Sequence, residues 1–201
     1  MDYYYSPMQS NTNYSKYSLK FFLALVFCLL VRLIPFRAPN IEPILATMMP
    51  IGRAYGALFG FSFGVLSIFL YDVATGTLGV RTLFTAGAYG LIGLWAVRYF
   101  SAKGVSVSGG KNSDIGTIDY VKFAVMGTLL FDALTGFTVG PIFFNQSFVA
   151  AFAGQIPFTA LHLLGNVTFA AVLSPGIYNF LIKKKKKESV DYIKILNPKI
   201  I

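Results

Sequence analysis

Charge is what this sequence has least of. Only 12% of its 201 residues are Asp, Glu, Lys or Arg, while 55% are hydrophobic. Soluble domains carry about twice that share of charge, so a chain this poor in it cannot cover a water-facing surface, which excludes an ordinary soluble domain. A single cysteine, Cys28, excludes an intrachain disulfide, and one cysteine with one histidine, His162, leaves no zinc-site spacing. There is no Ser-centred nucleophile elbow, no HExxH, no paired-acid metal motif and no GxxxxGK[ST] phosphate loop. The expectation is a protein that is not an enzyme and needs no cofactor or metal. An intramembrane catalyst using Asp72, Asp132 and His162 is the disfavoured alternative, and ATP energy would have to come from a partner. The N-terminal stretch lacks the basic region and cleavage site of a signal peptide, so the first apolar segment is expected to be retained.

What the chain does have is apolar runs close to the ~20 residues that cross a bilayer. They cover Ser18 to Pro35, a proline-rich piece around Ile44 to Ile51, Arg53 to Tyr71, Thr82 to Phe100, Tyr120 to Thr135, and a long region from Ser147 to Ile182. The last is too long for one straight crossing. It is expected to hold a short outer helix and then a kinked crossing from about Pro157, with Pro175 as a second possible break. If the proline-rich piece breaks near Gly52-Arg53, there are six crossings. Lys16, Lys20, Arg53, Arg98, Lys103, Lys111, Lys122 and the run Lys183 to Lys187 then share one side, as the positive-inside rule requires. The reading is an all-α integral membrane protein, a six-helix transmembrane bundle with both termini cytoplasmic in the plasma membrane. A polar tail (1–17) precedes the transmembrane domain (18–182), whose cytoplasmic linker is 101–118, and a basic tail (183–201) follows. That linker is taken to separate two three-span halves related by weak duplication. Of the net charge of +9, five charges are the run Lys183 to Lys187, which is read as a cytoplasmic anchor under the positive-inside rule and a contact for anionic headgroups of the lipid bilayer, with no nucleic acid partner.

Two motifs repeat. LYDVATG, Leu70 to Gly76, returns sixty residues later as LFDALTG, Leu130 to Gly136. Each ends an apolar helix with Asp, Thr and Gly, which suits a helix stop. An Asp in a last turn faces the negative end of the helix dipole and wants a cation. Arg81 is near Asp72, but the matching position in the second copy is Pro141, so Asp132 needs a distant partner such as Arg37, or a ligand donor. His162 and Asn166 lie four apart on one helix face, with Gln155 two turns earlier. Polar groups at membrane depth face the bundle interior and mark either interhelical hydrogen bonds or a substrate path. Gly52, Gly56, Gly60 and Gly64, with Gly87, Gly90 and Gly93, read as close helix packing. Ala24 and Cys28 form a smaller four-spaced pair, either packing or a docking face for another membrane protein.

The stretch RLIPFRAPNIEPILATMMPIG, then a Gly-rich span, DxxTG, GVRTLF and AYGLIGLWA, resembles the substrate-binding S components of energy-coupling factor (ECF) vitamin transporters. The likeness covers about residues 20 to 182. It includes Pro39, Asn40, Pro43 and Ala46 of a PN-x-x-P-x-x-A stretch, Gly79 and Thr82, Tyr89 to Gly93, and IPFTALHLLGNVTFAAVL as a last span. It is nearest to a branch that includes cobalamin carriers, although TLF at Thr82 to Phe84 stands where that branch has TPW. The resemblance implies six helices, a vitamin site near the outer face under the loop after the first span, and partners: an ECF transmembrane scaffold protein and two ATPase subunits. It also implies that small first-helix residues, here Ala24 and Cys28, touch the scaffold. The expected function is the membrane-embedded substrate-binding component of an ECF-type uptake transporter for a vitamin-like ligand, cobalamin-like in the limit. Alternatives are a stand-alone small membrane carrier without ATPase partners and a structural or assembly membrane protein. The expected ligand contacts are Arg37, Asn40, Glu42, Asp72, Arg81, Asp132, His162 and Asn166.

Overall fold

The computed structural model describes residues 12–36, 40–104 and 115–182. These form α1 (Thr12–Arg32), α2 (Ile44–Tyr55), α3 (Ala57–Ala74), α4 (Val80–Gly104), α5 (Thr117–Gly136), α6 (Val139–Phe144) and α7 (Phe148–Val172). A terminal helical segment, 174–182, follows a turn at Leu173, and no strand occurs among the described residues. Four stretches are long and apolar enough to cross a membrane: Ala57–Ala74, Val80–Lys103, Thr117–Phe144 and Phe148–Val172. The chain is a multi-pass helical membrane protein. Arg37, the linker residues 105–114 and the two tails lie outside the described residues.

The helix that organises the bundle is the shortest of the central ones. With 12 residues, α2 measures roughly 18 Å, well under the ~30 Å hydrocarbon thickness. Every residue from Ile44 to Gly52 is buried, and α1, α3, α4, α5 and α7 all touch it. It has no lipid-facing side, so its backbone groups must be satisfied from within the protein. Pro50, inside α2, has no N–H to give the carbonyl of Ala46, four residues earlier. The Ser174 hydroxyl supplies the missing donor at 2.7 Å, and Ser174 is fully buried. A distant hydroxyl thus repairs a defect that the proline creates, and it pins the terminal segment to the centre of the fold.

Gly56, at φ +98°, turns the chain between α2 and α3, so the two helices fold back on each other. A Cβ added to Gly60 would stand 2.9 Å from the Gly93 carbonyl oxygen, and one added to Gly64 would stand 2.6 Å from that of Tyr89. Lipid tails are as apolar as leucine, so membrane helices gain most where small residues let backbones approach. The α3–α4 seam is such a place. Gly87 meets nothing within 4 Å and is not part of the seam, and Gly56 is a turn rather than a packing position.

Charged groups gather at two ends. At one, Lys20, in the first half of α1, donates to the carbonyls of Phe180 (2.8 Å) and Leu181 (2.9 Å) of the terminal segment. Near the same end Arg53 donates to the Tyr120 hydroxyl at 2.8 Å and lies over the Tyr178 ring, and Lys103 pairs with Asp119 at 2.7 Å. Arg32, Glu42, Asp72, Arg81, Asp132 and His162 lie towards the other end.

Several expectations are corrected here. The chain breaks at Gly56, not at Gly52-Arg53. Pro157 sits inside an unbroken α7, and the interruption comes at Leu173, just before Pro175. The short helix α6 precedes α7 as a separate element. Among the described residues α1 to α4 lie before the linker, and α5, α6, α7 and the terminal helical segment lie after it, so the linker does not separate three-span halves. The repeated unit is smaller: α3 with α4, and α5 with α7, each a helix, DxxTG and a second helix packed back on the first.

Ser174→Ala should lower unfolding stability by about 1–3 kcal/mol, the cost of a buried acceptor left unmade. In a Pro50→Ala background, where the backbone restores its own donor, the same change should cost much less. Denaturation in mixed detergent checks this; equal losses in both backgrounds would show that Ser174 acts by packing alone.

Candidate functional site

The two copies of DxxTG share one local device and then diverge. In both, the Thr hydroxyl bonds back one turn: Thr75 to the Tyr71 carbonyl at 2.9 Å, and Thr135 to the Phe131 carbonyl at 2.8 Å. In the first copy the helix stops, with Gly76 left-handed at φ +68°. Asp72 accepts from Thr82 Oγ1 at 2.6 Å and Thr77 Oγ1 at 3.4 Å. The expected Asp72–Arg81 pairing is absent: no ion pair joins these two residues. Asp72 instead ties the α3–α4 turn to itself. In the second copy Gly136 stays helical, and the Gln155 side chain occupies the space a Cβ would need.

Asp132 is buried, 2% exposed, and its Oδ1 lies 2.7 Å from His162 Nδ1. Its distant partner is therefore the histidine of α7. The other ring nitrogen of His162, Nε2, is 3.3 Å from the Tyr89 hydroxyl. Tyr89 donates to Glu42 Oε1 at 2.8 Å, and Glu42 Oε2 faces Arg32 Nε at 2.8 Å. Arg32 closes the chain by donating from Nη1 to the Ser67 carbonyl at 2.7 Å and by stacking on Tyr71. One continuous polar chain thus runs Ser67–Arg32–Glu42–Tyr89–His162–Asp132. It joins α3, α1, the segment before α2, α4, α7 and α5. One turn away Asn166 donates to Thr128 Oγ1 at 2.8 Å, so both polar residues of the α7 face bond across to α5.

The packing around this chain explains why it forms. Gly165, between His162 and Asn166, lets the segment at Asn40-Ile41 lie against α7; a Cβ there would be 3.0 Å from the Ile41 Cα. Asn40 takes the left-handed conformation (φ +63°) that asparagine tolerates better than most residues. Phe131, next to Asp132, lies edge-on to His162 and against Tyr89. Those rings hold the imidazole in place. Asp132 Oδ2 and Asn166 Oδ1 are buried without a hydrogen-bond partner.

Beside the chain opens a cavity of about 480 Å³. Arg32, Asn40, Asp72, Arg81, Gln155 and His162 line it, with Ile68, Phe131 and Phe158 among the apolar walls. Asn40, Asp72, Arg81 and His162 of the expected contacts therefore meet. Glu42 and Asp132 are not on the lining; each lies one bond behind it. Asn166 is deeper, and Arg37 falls outside the described residues. Arg32 and Tyr89 were not among the expected contacts. Their signal was available: a tyrosine hydroxyl and an arginine in apolar helices both need buried partners. The expected docking pair separates. Cys28 is buried, 1% exposed, while Ala24 is half-buried and borders an apolar surface groove with Leu23, Phe27 and Phe180. No cluster of three or more His, Cys, Asp or Glu able to hold a metal occurs among the described residues.

Tyr89→Phe keeps the ring packing but removes the link between Glu42 and His162. It should cost about 1–3 kcal/mol of stability, since buried polar groups are left unpaired. Detergent unfolding of the variant checks this; a change below about 0.5 kcal/mol, the level of a neutral surface substitution, would mean that the chain is not a structural link.

No family model, curated protein or solved structure matches the chain, and what the site does rests on its own residues.

Proposed function

We propose that the chain is the substrate-binding component of an uptake carrier, of the ECF S-component kind that its sequence resembles. The observation that carries this reading is the cavity with charged and polar groups in its wall. It is built from α1, α3, α4, α5, α6, α7 and the α1–α2 and α6–α7 connections, and it opens beside a buried polar chain. Membrane proteins do not bury arginine, two acids and a histidine together without a use for them. The volume lies in the lower half of the range for small-molecule sites, which favours a compact micronutrient; a corrinoid would project far outside it. The topology that goes with this reading has six passages, five by α1, α3, α4, α5 and α7 and one by the short buried α2 together with the segment before it, with the Lys20, Arg53 and Lys103 end in the cytoplasm. The cavity then faces outward. Ala24, not Cys28, marks the surface where the first helix meets an ECF scaffold protein with its two ATPases.

One purification tests these statements. Extracted from its own membranes in mild detergent, the chain should bring along a small polar compound, a larger membrane scaffold and two ATPases. Recovery of the compound without the protein partners would favour a stand-alone carrier. Absence of any compound, with no stabilisation by candidate micronutrients, would remove the carrier reading. With the compound identified, His162→Gln should weaken its binding at least about tenfold, which is about 1.4 kcal/mol. Unchanged affinity would place the ligand elsewhere.

A further inference from the structure

The cavity wall has a charge asymmetry that suggests what kind of ligand it takes. Two arginines, Arg32 and Arg81, line the cavity directly, and His162 does so with its ring. The two acids that balance Arg32 and His162 stand behind the wall: Glu42 at 2.8 Å from Arg32, and Asp132 at 2.7 Å from His162. Neither acid is on the lining.

A carboxylate only accepts, so Asp132 takes a proton donated from His162 Nδ1. Tyr89 donates to Glu42 Oε1 at 2.8 Å, and Glu42 Oε2 faces Arg32 Nε. Both acids are thus held by donors that stand between them and the cavity, so the wall presents the donors and not the carboxylates.

Arg81 adds a full charge, being exposed and in no ion pair with the acid nearest it in the sequence. Among the described residues Asp72 is the one acid on the lining, and its two oxygens are held by Thr82 and Thr77. Two arginines face one acid that already has its donors.

We propose that this cavity binds a small organic anion, a ligand bearing a carboxylate or a group of similar charge and shape, with Arg81 as its main contact. An arginine fork matches such a group in two parallel bonds. The inference rests on the cavity being a binding site, as proposed above. A soluble carboxylate and an anionic lipid headgroup share this chemistry, and the test separates them.

The full chain is placed in nanodiscs of phosphatidylcholine, and its thermal unfolding midpoint is measured with sodium acetate or sodium benzoate. Acetamide and benzamide serve as neutral matches, with ionic strength equalised by sodium chloride. A parallel arm replaces part of the lipid with phosphatidylglycerol. The expected result is a midpoint raised by a carboxylate and not by its amide, with the rise lost in Arg81→Gln and only partly recovered in Arg81→Lys, which keeps the charge but not the fork. A rise from phosphatidylglycerol alone, lost in Arg81→Gln, keeps the anion site but assigns it to lipid and removes the soluble-ligand reading. Equal rises from amide and carboxylate, or rises that persist in Arg81→Gln, overturn the anion proposal while leaving a binding cavity. No Arg81-dependent response in either arm overturns it as well.

Discussion

The contact on which the rest of the structure depends is the one between Asp132 and His162. It lies where water is scarce, so its two groups cannot fall back on solvent. An isolated acid in that position would be costly, and so would an isolated charged imidazole. Each is tolerable because the other is there. The same logic continues outward through Tyr89 to Glu42 and Arg32, so that one polar chain links most elements of the bundle. In a medium where hiding leucine gains little, such links and close glycine contacts supply the specificity that a hydrophobic core supplies in water. The cavity lies against this chain because the chain keeps its wall in a fixed place.

Backbone satisfaction imposes the second constraint. A buried helix as short as α2 can hold a proline only if another group meets the carbonyl it leaves open. Ser174 does so, and the terminal segment is thereby bound to the centre. Farther along that segment Lys20 binds the Phe180 and Leu181 carbonyls. The fold is thus tied at its centre by a hydroxyl and at its end by an ammonium.

The helical membrane character was legible from composition and run length, and four of the expected runs fall in helices long enough to cross a membrane, although the last begins at Phe148 and not near Pro157. The repeat LYDVATG/LFDALTG correctly marked two helix ends, since each threonine makes the same backward bond. What the repeat could not show was the fate of its acids. Asp72 finds hydroxyls in its own turn, and Asp132 finds a ring thirty residues away. That difference is decided by which helix face meets α7, and a sequence repeat says nothing about facing. The same limit applies to Cys28. Its spacing from Ala24 is that of a helix face, yet about a turn of helix is enough to carry the side chain from the surface to the interior. The break at Gly56 was hard to place because glycine served both as packing residue and as turn in one regular series. Pro157 misled for a related reason: a proline in a membrane helix need not break it.

The claim that most needs testing is that Asp132 and His162 act as a unit at the centre of this account. A double-mutant cycle with Asp132→Ala and His162→Ala, read as unfolding free energy in mixed detergent, measures it directly. Contacting residues in one polar network couple by about 0.5–3 kcal/mol. The account predicts that the double variant is less destabilised than the sum of the single variants by at least about 1 kcal/mol, within that same range. Simple additivity of the two losses would contradict it.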